Sequence, residues 1–278
     1  VSDFVDAGGT LVHFVEHGDA RPQHGTVLLM HGFSCDHRLM TGGFEPVFTA
    51  RDGWRRVYLD LPGHGRSIAG PDIDSTDAVL RAVTIAASRL IPDGPLLLAG
   101  QSYGGYLIQG MIRTDPGRYA GACMVAPPTI AQHDRRILPE HQVLARDDAA
   151  LADVTLAPDS AFEEVSVVKD ARTLERTQQE VQPGIDLSDT ATLERIEKRY
   201  TGSFEDAPVQ VFDRPSLLVT GRQDAIVGYV DQWSLTEQFS RLTSAVLDRG
   251  GHNVHIEQEV LFSALVHEWL DRVEESLS

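Results

Sequence analysis

Cysteine, basic charge and long apolar runs are all scarce in this chain, and each shortage removes a class of protein. Cys35 and Cys123 are the two thiols among 278 residues, one expected in a loop and the other inside a strand. Cysteines so placed make no disulfide framework, and both are expected to be reduced. A reactive Cys35 would need a base, and none is assigned to it. The 24 Lys and Arg are outnumbered by 41 Asp and Glu, for a formal net charge of −17. Affinity for a phosphate backbone depends on Lys and Arg displacing counterions, so nucleic acid is not an expected partner. No apolar run approaches the roughly 20 residues of a membrane helix, and no basic segment followed by an apolar one opens the chain. A soluble, cytoplasmic protein without a membrane partner is expected, with Val1 in place of methionine leaving room for a removed leader. Repeats and low-complexity tracts are missing. So is metal-ligand spacing: His133, His141 and the carboxylates near them are scattered and read as surface groups.

What is present is an alternation. Short apolar, β-branched runs at Thr26–Met30, Arg56–Asp60, Pro95–Ala99, Gly121–Ala126, Ser216–Thr220 and Ser244–Leu247 read as strands, with Thr10–Glu16 as an added edge strand. Asp74–Leu90, Tyr103–Asp115, Tyr229–Leu242 and Ile256–Leu277 have helical length and spacing, the last with Val260, Leu261, Ala264 and Leu265 on one face. Such alternation predicts an α/β fold, a mostly parallel sheet with helices on both sides. The rhythm stops after Pro127-Pro128. Until Asp213 no convincing strand occurs, while Asp148–Leu156, Val167–Val181 and Asp189–Tyr200 are helix-compatible. A stretch of that length is too long for a structureless loop, so it is expected to fold as a helical cap. Its two ends leave and re-enter beside the carboxyl ends of strands, where such sheets bind ligands, which gives it a role in substrate access.

Gly100-Gln101-Ser102-Tyr103-Gly104 stands between the Pro95–Ala99 run and a helix-like stretch. A tight strand-to-helix turn of this kind lifts one hydroxyl above the sheet, and glycines leave room for its close backbone contacts. The bare pattern recurs by chance, so position has to carry the reading. A serine hydroxyl is a poor nucleophile and needs a base, which in turn needs an acid to fix its tautomer. His252, on the Gly-rich turn after the last strand, is the expected base, with His255 as its local competitor at the helix start. Asp224, in the loop after Ser216–Thr220, is the expected acid; Asp248 is the reserve, and Asp231 falls in a helix. Backbone N–H groups of Tyr103, after the nucleophile, and Phe33, in the His31-Gly32-Phe33-Ser34 loop, are the expected oxyanion donors. Their rings either line an acyl pocket or pack.

With these parts together the chain resembles the α/β-hydrolase superfamily, in its capped branch with a helical insertion after the sixth strand. The resemblance covers essentially the whole chain. It rests on His31-Gly32, Asp60-Leu61-Pro62-Gly63-His64-Gly65-Arg66-Ser67, the elbow with Gly105, Asp224 and Gly251-His252, in the order Ser, Asp, His. It implies a hydrolase core at 1–128 and 215–278 with the cap at 129–214. An acid placed after Gly121–Ala126, a known alternative, finds no candidate in Ala126-Pro127-Pro128-Thr129. Where members often have a proline soon after the acid, this chain has Ile226-Val227-Gly228. By the same resemblance His64 is structural and His31 orients the oxyanion loop.

The expected function is a serine hydrolase cleaving a small-molecule carboxylic ester, lactone or thioester through an acyl-enzyme on Ser102. No metal or organic cofactor is needed, and the oligomeric state is left open. Ser at 102 separates the chain from dehalogenases and epoxide hydrolases of the fold, which use a carboxylate. The alternative is a carbon–carbon bond hydrolase acting on a diketone or ring-cleavage product, with Arg135, Arg136, Arg172 and Arg176 as candidate partners for an anionic substrate. Amide hydrolysis ranks third, and the non-enzyme reading is a hydrolase-fold ligand receptor.

Overall fold

Strands Gly25–Met30 (β3) and Leu96–Gln101 (β5) are buried at every position, the pattern of parallel strands covered on both faces. In the computed structural model, which describes residues 2–152, 154–157 and 160–278, they lie side by side at the centre of an eight-stranded sheet. With Ser2–Asp6 (β1), Leu11–His17 (β2), Trp54–Leu59 (β4), Gly121–Val125 (β6), Ser216–Gly221 (β9) and Leu242–Leu247 (β10), the order is β1-β2-β4-β3-β5-β6-β9-β10. The pairs β1·β2 and β2·β4 are antiparallel and the rest parallel. The α/β architecture is therefore as expected. The Thr10–Glu16 run is not the edge, because the unanticipated β1 pairs outside it.

Alternate residues of the central strands feed two cores. Leu28 and Met30 face Thr76–Leu90 (α2) and Tyr103–Thr114 (α3), where Val79, Val83, Leu107 and Ile108 are fully buried. Val27 and Leu29 face His37–Phe48 (α1) and Glu259–Leu277 (α10), with Phe44, Phe262 and Trp269. Each such large apolar side chain contributes roughly 1.5–3 kcal/mol by burial. Ser75 caps α2 by accepting from the Ala78 N–H at 3.3 Å.

One helix of the core is unanticipated and two expected helices change. The sequence gives no sign of α1, which contains Gly42, Gly43 and Pro46; its apolar stripe Met40, Phe44 and Val47 holds it to the sheet, so packing overrides weak propensity. Tyr229–Leu242 is not one helix but a 3₁₀ turn, Asp231–Ser234, and a short helix, Leu235–Gln238 (α8), before β10 begins. The final helix breaks at Gln258, with Val254–Glu257 (α9) ahead of α10. The phase of α10 then buries Phe262, Val266, Trp269, Leu270 and Val273, and leaves Val260 and Leu261 exposed.

Between β6 and β9 the chain runs through Ala161–Val165 (α4), Ala171–Arg176 (α5), a π-helical turn Thr177–Val181, Gln182–Leu187 (α6) and Thr190–Glu197 (α7). Two strands also occur here, Ala145–Arg146 (β7) and Val168–Lys169 (β8), paired in parallel. Val167–Val181 is thus strand, then helix, switched where Asp170 caps α5 through the Thr173 N–H at 2.7 Å. The expected helix Asp148–Leu156 is turns through Ala152, and its residue 153 lies outside the described residues. Leu151 anchors that stretch against Phe162 and Leu174, and the partly buried Leu156 packs on the same cluster. No helix among the described residues is long and apolar enough to cross a membrane.

Candidate active site

Between β5 and α3 the backbone at Ser102 takes φ 49° and ψ −115°, a left-handed conformation unfavourable for any side chain other than glycine. Such a residue costs about 1–3 kcal/mol and persists because its surroundings hold it. Here the Ser102 N–H donates to the Val125 carbonyl at 2.8 Å, and the Ser102 carbonyl accepts from the Tyr106 N–H at 3.0 Å. The flanking glycines let the turn close. A Cβ on Gly100 would lie 2.5 Å from the Gly104 carbonyl carbon.

Above this turn the structure brings three of the expected residues together. His252 Nε2 is 2.9 Å from Ser102 Oγ, and His252 Nδ1 is 2.9 Å from Asp224 Oδ2. Asp224 follows the end of β9 and is fully buried, its Oδ1 accepting from the Ile226 N–H at 2.8 Å and the Val227 N–H at 3.0 Å. A proline at either position would lack that donor, which gives the departure from the family pattern a physical consequence. The His252 loop follows β10 and approaches β9 because Gly221 has no side chain; a Cβ there would lie 2.3 Å from the carbonyl oxygens of both Gly250 and Gly251.

The competitors lie elsewhere. His255 is buried against Phe262, with ring centroids 5.9 Å apart, and burial pulls its pKa down to about 3. Asp248 is exposed, and among the described residues its carbonyl rather than its carboxylate is engaged, by Gln223 Nε2 at 3.2 Å.

Phe33 follows β3 in the loop facing the elbow, and neither its N–H nor that of Tyr103 has an acceptor among the described residues. Their rings differ in role. Phe33 borders the cavity over Ser102, whereas Tyr103 is fully buried, its ring 5.3 Å from that of Phe33 and its hydroxyl donating to Thr76 Oγ1 at 3.1 Å. His31 Nε2 accepts from the Leu61 N–H at 2.9 Å while Nδ1 donates to the Gly32 carbonyl at 2.7 Å, tying the Phe33 loop to the chain after β4. His64 packs edge-on against His31 and Phe33, and burial lowers its pKa to about 3.

The cavity measures about 870 Å³. The segment between β6 and β9 supplies much of its wall, including Arg136, Glu164, Val165, Val181, Lys198 and Tyr200. Of the four arginines singled out in that segment, Arg136 alone reaches the lining. Its guanidinium donates to the carbonyls of Ile130, Ala131 and Ile226 at 2.8–3.0 Å, with no carboxylate partner among the described residues. Arg176 is buried in a bidentate pair with Glu180, Arg172 pairs with Glu175 and Glu259 in solvent, and Arg135 donates to Gln132. Cys35 borders the cavity, but burial pushes its thiol up to about 12, so it is not a nucleophile near neutral pH.

One cluster was missed: Asp60, His13 and His37 bring potential metal-ligand atoms within 4.8 Å of one another. Asp60 Oδ2 accepts from His13 Nδ1 and the Arg66 N–H, and Oδ1 from His37 Nδ1 and the His37 N–H, at 2.7–2.9 Å. Four donors saturate the carboxylate, so hydrogen bonding rather than a cation accounts for this buried charge.

The model of the alpha/beta hydrolase family matches residues 27–265. Among solved structures, the chain is similar to an alpha/beta superfamily hydrolase from Oenococcus oeni, with a TM-score of 0.84 and 24% identity over 94% of this chain and 96% of that one. It is also similar to a malate-bound thermophilic esterase from Thermogutta terrifontis, with a TM-score of 0.69 and 19% identity over 99% of each chain. At these identities the likeness is one of fold. In sequence it is 36% identical over 92 residues to a 2-succinyl-6-hydroxy-2,4-cyclohexadiene-1-carboxylate synthase of Salmonella paratyphi B, covering 32% of this chain and 33% of the relative. The chain thus spans about a third of the length of the curated relatives it matches. By the family model that covers most of its length, the chain belongs to the alpha/beta hydrolase family.

Proposed function

We propose that the protein is a serine hydrolase that cleaves a small-molecule carboxylic ester, lactone or thioester through an acyl-enzyme on Ser102. The observation that carries this reading is the unbroken hydrogen-bond chain from Asp224 through His252 to Ser102 Oγ beneath a cavity. Asp224 holds the proton on His252 Nδ1, leaving Nε2 as the base. His252 takes the Ser102 proton as Oγ attacks the carbonyl, and the tetrahedral oxyanion meets the N–H groups of Phe33 and Tyr103. One such donor is worth roughly 10²–10³ in rate. The amino-terminal end of α3 adds positive potential there. His252 then protonates the leaving group and activates water, which releases the acid and frees Ser102.

In this reading residues 129–214 form the cap between the core parts 1–128 and 215–278, and the cap selects the substrate. The protein acts in the cytoplasm on a small molecule. Fluorophosphonate labelling followed by peptide mapping tests the site: an adduct on Ser102 and loss of hydrolysis in Ser102→Ala are expected. An adduct elsewhere, or an active Ser102→Ala, refutes the assignment.

A second reading, cleavage of a carbon–carbon bond in a diketone-like substrate, draws on Arg136. A guanidinium at the cavity wall with carbonyl partners alone retains charge for an anionic substrate. The partial sequence likeness to synthases named for a carboxylate product points the same way. A turnover panel of p-nitrophenyl esters, lactones, thioesters and a vinylogous diketone separates the two, since activity on the diketone alone selects the second.

A further inference from the structure

Glu257, at the end of α9, makes no hydrogen bond to Ser102 or His252 among the described residues, yet its carboxylate joins two segments that border the reaction. Oε2 accepts the Gly251 N–H at 2.5 Å, one residue before His252. Oε1 accepts the N–H groups of Val167 at 2.5 Å and Val168 at 3.0 Å, where β8 begins. The close approach depends on Gly251: a Cβ there would lie 2.8 Å from Val167 Cγ2 and 3.0 Å from the Val165 carbonyl oxygen. Val165 itself borders the cavity. On its other side the His252 peptide is held by Gln101, whose Nε2 donates to the His252 carbonyl at 3.2 Å. Gln101 directly precedes Ser102, so that grip ties the base to the nucleophile's own strand.

We propose that Glu257 is a positioning residue that locks the His252 loop to the cavity-bordering segment, so that the placement of the imidazole depends on the wall that receives substrate. The proposal rests on the hydrolase reading above. Its physical content is that a carboxylate has acceptor capacity on both oxygens, whereas any replacement with a single acceptor must abandon one of the two segments. An imidazole released on the Gly251 side loses alignment with Ser102 Oγ, and misplacement of about 1 Å costs as much as 10²-fold in rate.

Glu257→Gln tests it, because the carboxamide opposes an N–H with an N–H at whichever segment its oxygen does not serve. On a short p-nitrophenyl ester, kcat is expected to fall about 10- to 100-fold with KM within about two-fold, while thermal unfolding stays cooperative. In proton NMR of the resting protein, the deshielded His252 Nδ1 proton that faces Asp224 is expected to broaden or vanish. Unchanged kcat with that resonance retained, or a raised KM at constant kcat, overturns the proposal. Should Glu257→Gln fail to fold, Glu257→Asp, which keeps both oxygens but is one methylene too short to reach the Gly251 and Val167 N–H groups together, carries the same expectations and the same refutation. If instead the unmodified protein neither turns over esters nor reacts with a fluorophosphonate, the hydrolase reading fails, and the NMR comparison still decides whether Glu257 positions His252.

Discussion

Gly104 lies against the Met30 carbonyl so closely that a Cβ on it would stand 2.1 Å from that oxygen and 2.9 Å from the His31 carbonyl oxygen. The first turn of α3 therefore rides directly on the end of β3, and the loop carrying Phe33 starts from the same point. Gly104→Ala must push the two apart, displacing Ser102 from the Phe33 N–H. Overpacking of this kind costs about 1–3 kcal/mol. The expected result is a lowered melting temperature and a fluorophosphonate labelling rate reduced by about 10²-fold, the scale of a 1 Å misplacement. Gly117→Ala is the control, because its nearest neighbour, Asp115 Oδ1, would be 3.7 Å away. Equal labelling rates for the two variants would show that the elbow does not need this contact.

Asp224 and Asp248 make opposite predictions. Asp224→Asn keeps the size of the side chain but can turn an amide N–H toward His252 Nδ1, which favours the tautomer protonated on Nε2 and removes the base. In an enzyme with this arrangement the loss is about 10⁴-fold in kcat. Asp248→Asn changes an exposed side chain and is expected to leave kcat within two-fold, on the order of surface substitutions generally. Steady-state rates of the two variants decide the matter: an active Asp224→Asn beside an inactive Asp248→Asn would reassign the acid.

Ser102, Asp224 and His252 were legible because each sits where a strand ends, and strand ends are marked by short apolar runs followed by glycine. Gly100, Gly221 and Gly250 punctuate those runs, so the positions follow from local signals and chain order alone. α1 was hidden because Gly42, Gly43 and Pro46 are poor helix formers, and what holds the helix is packing on the sheet and on α10, both distant in sequence. The face of α10 was misread for a related reason. Val260 and Leu261 are apolar, but the break at Gln258 sets the phase, and no composition rule marks that break. The Asp60–His13–His37 cluster and the Glu257 clamp join residues from separate elements, so neither leaves a periodic or spacing signal.

His255 offers a prediction in which pH supplies the sign. Its two ring nitrogens are buried without a hydrogen-bond partner among the described residues, between Gly43 and Phe262. Burial is the main cause of a pKa lowered to about 3, with the charges of Arg176 and His252 adding to it. The folded protein therefore keeps His255 neutral while the unfolded chain protonates it below its ordinary value of about 6.5. Between those values the unfolded state holds more protons, so stability rises with pH and is lost on acidification, by up to about 1.4 kcal/mol per pH unit. His255→Leu removes both the titration and the unpaired nitrogens, whose burial costs about 1–3 kcal/mol. Urea unfolding should show the variant at least as stable as the parent at pH 7.5 and a further ~2 kcal/mol ahead at pH 5. Ester turnover should change by less than about two-fold, as for a residue outside the reacting centre. Parallel stability curves for variant and parent across that range would mean that His255 ionises freely in the folded protein, and a turnover loss of about 10⁴-fold, the scale expected for Asp224→Asn, would make it part of the catalytic machinery.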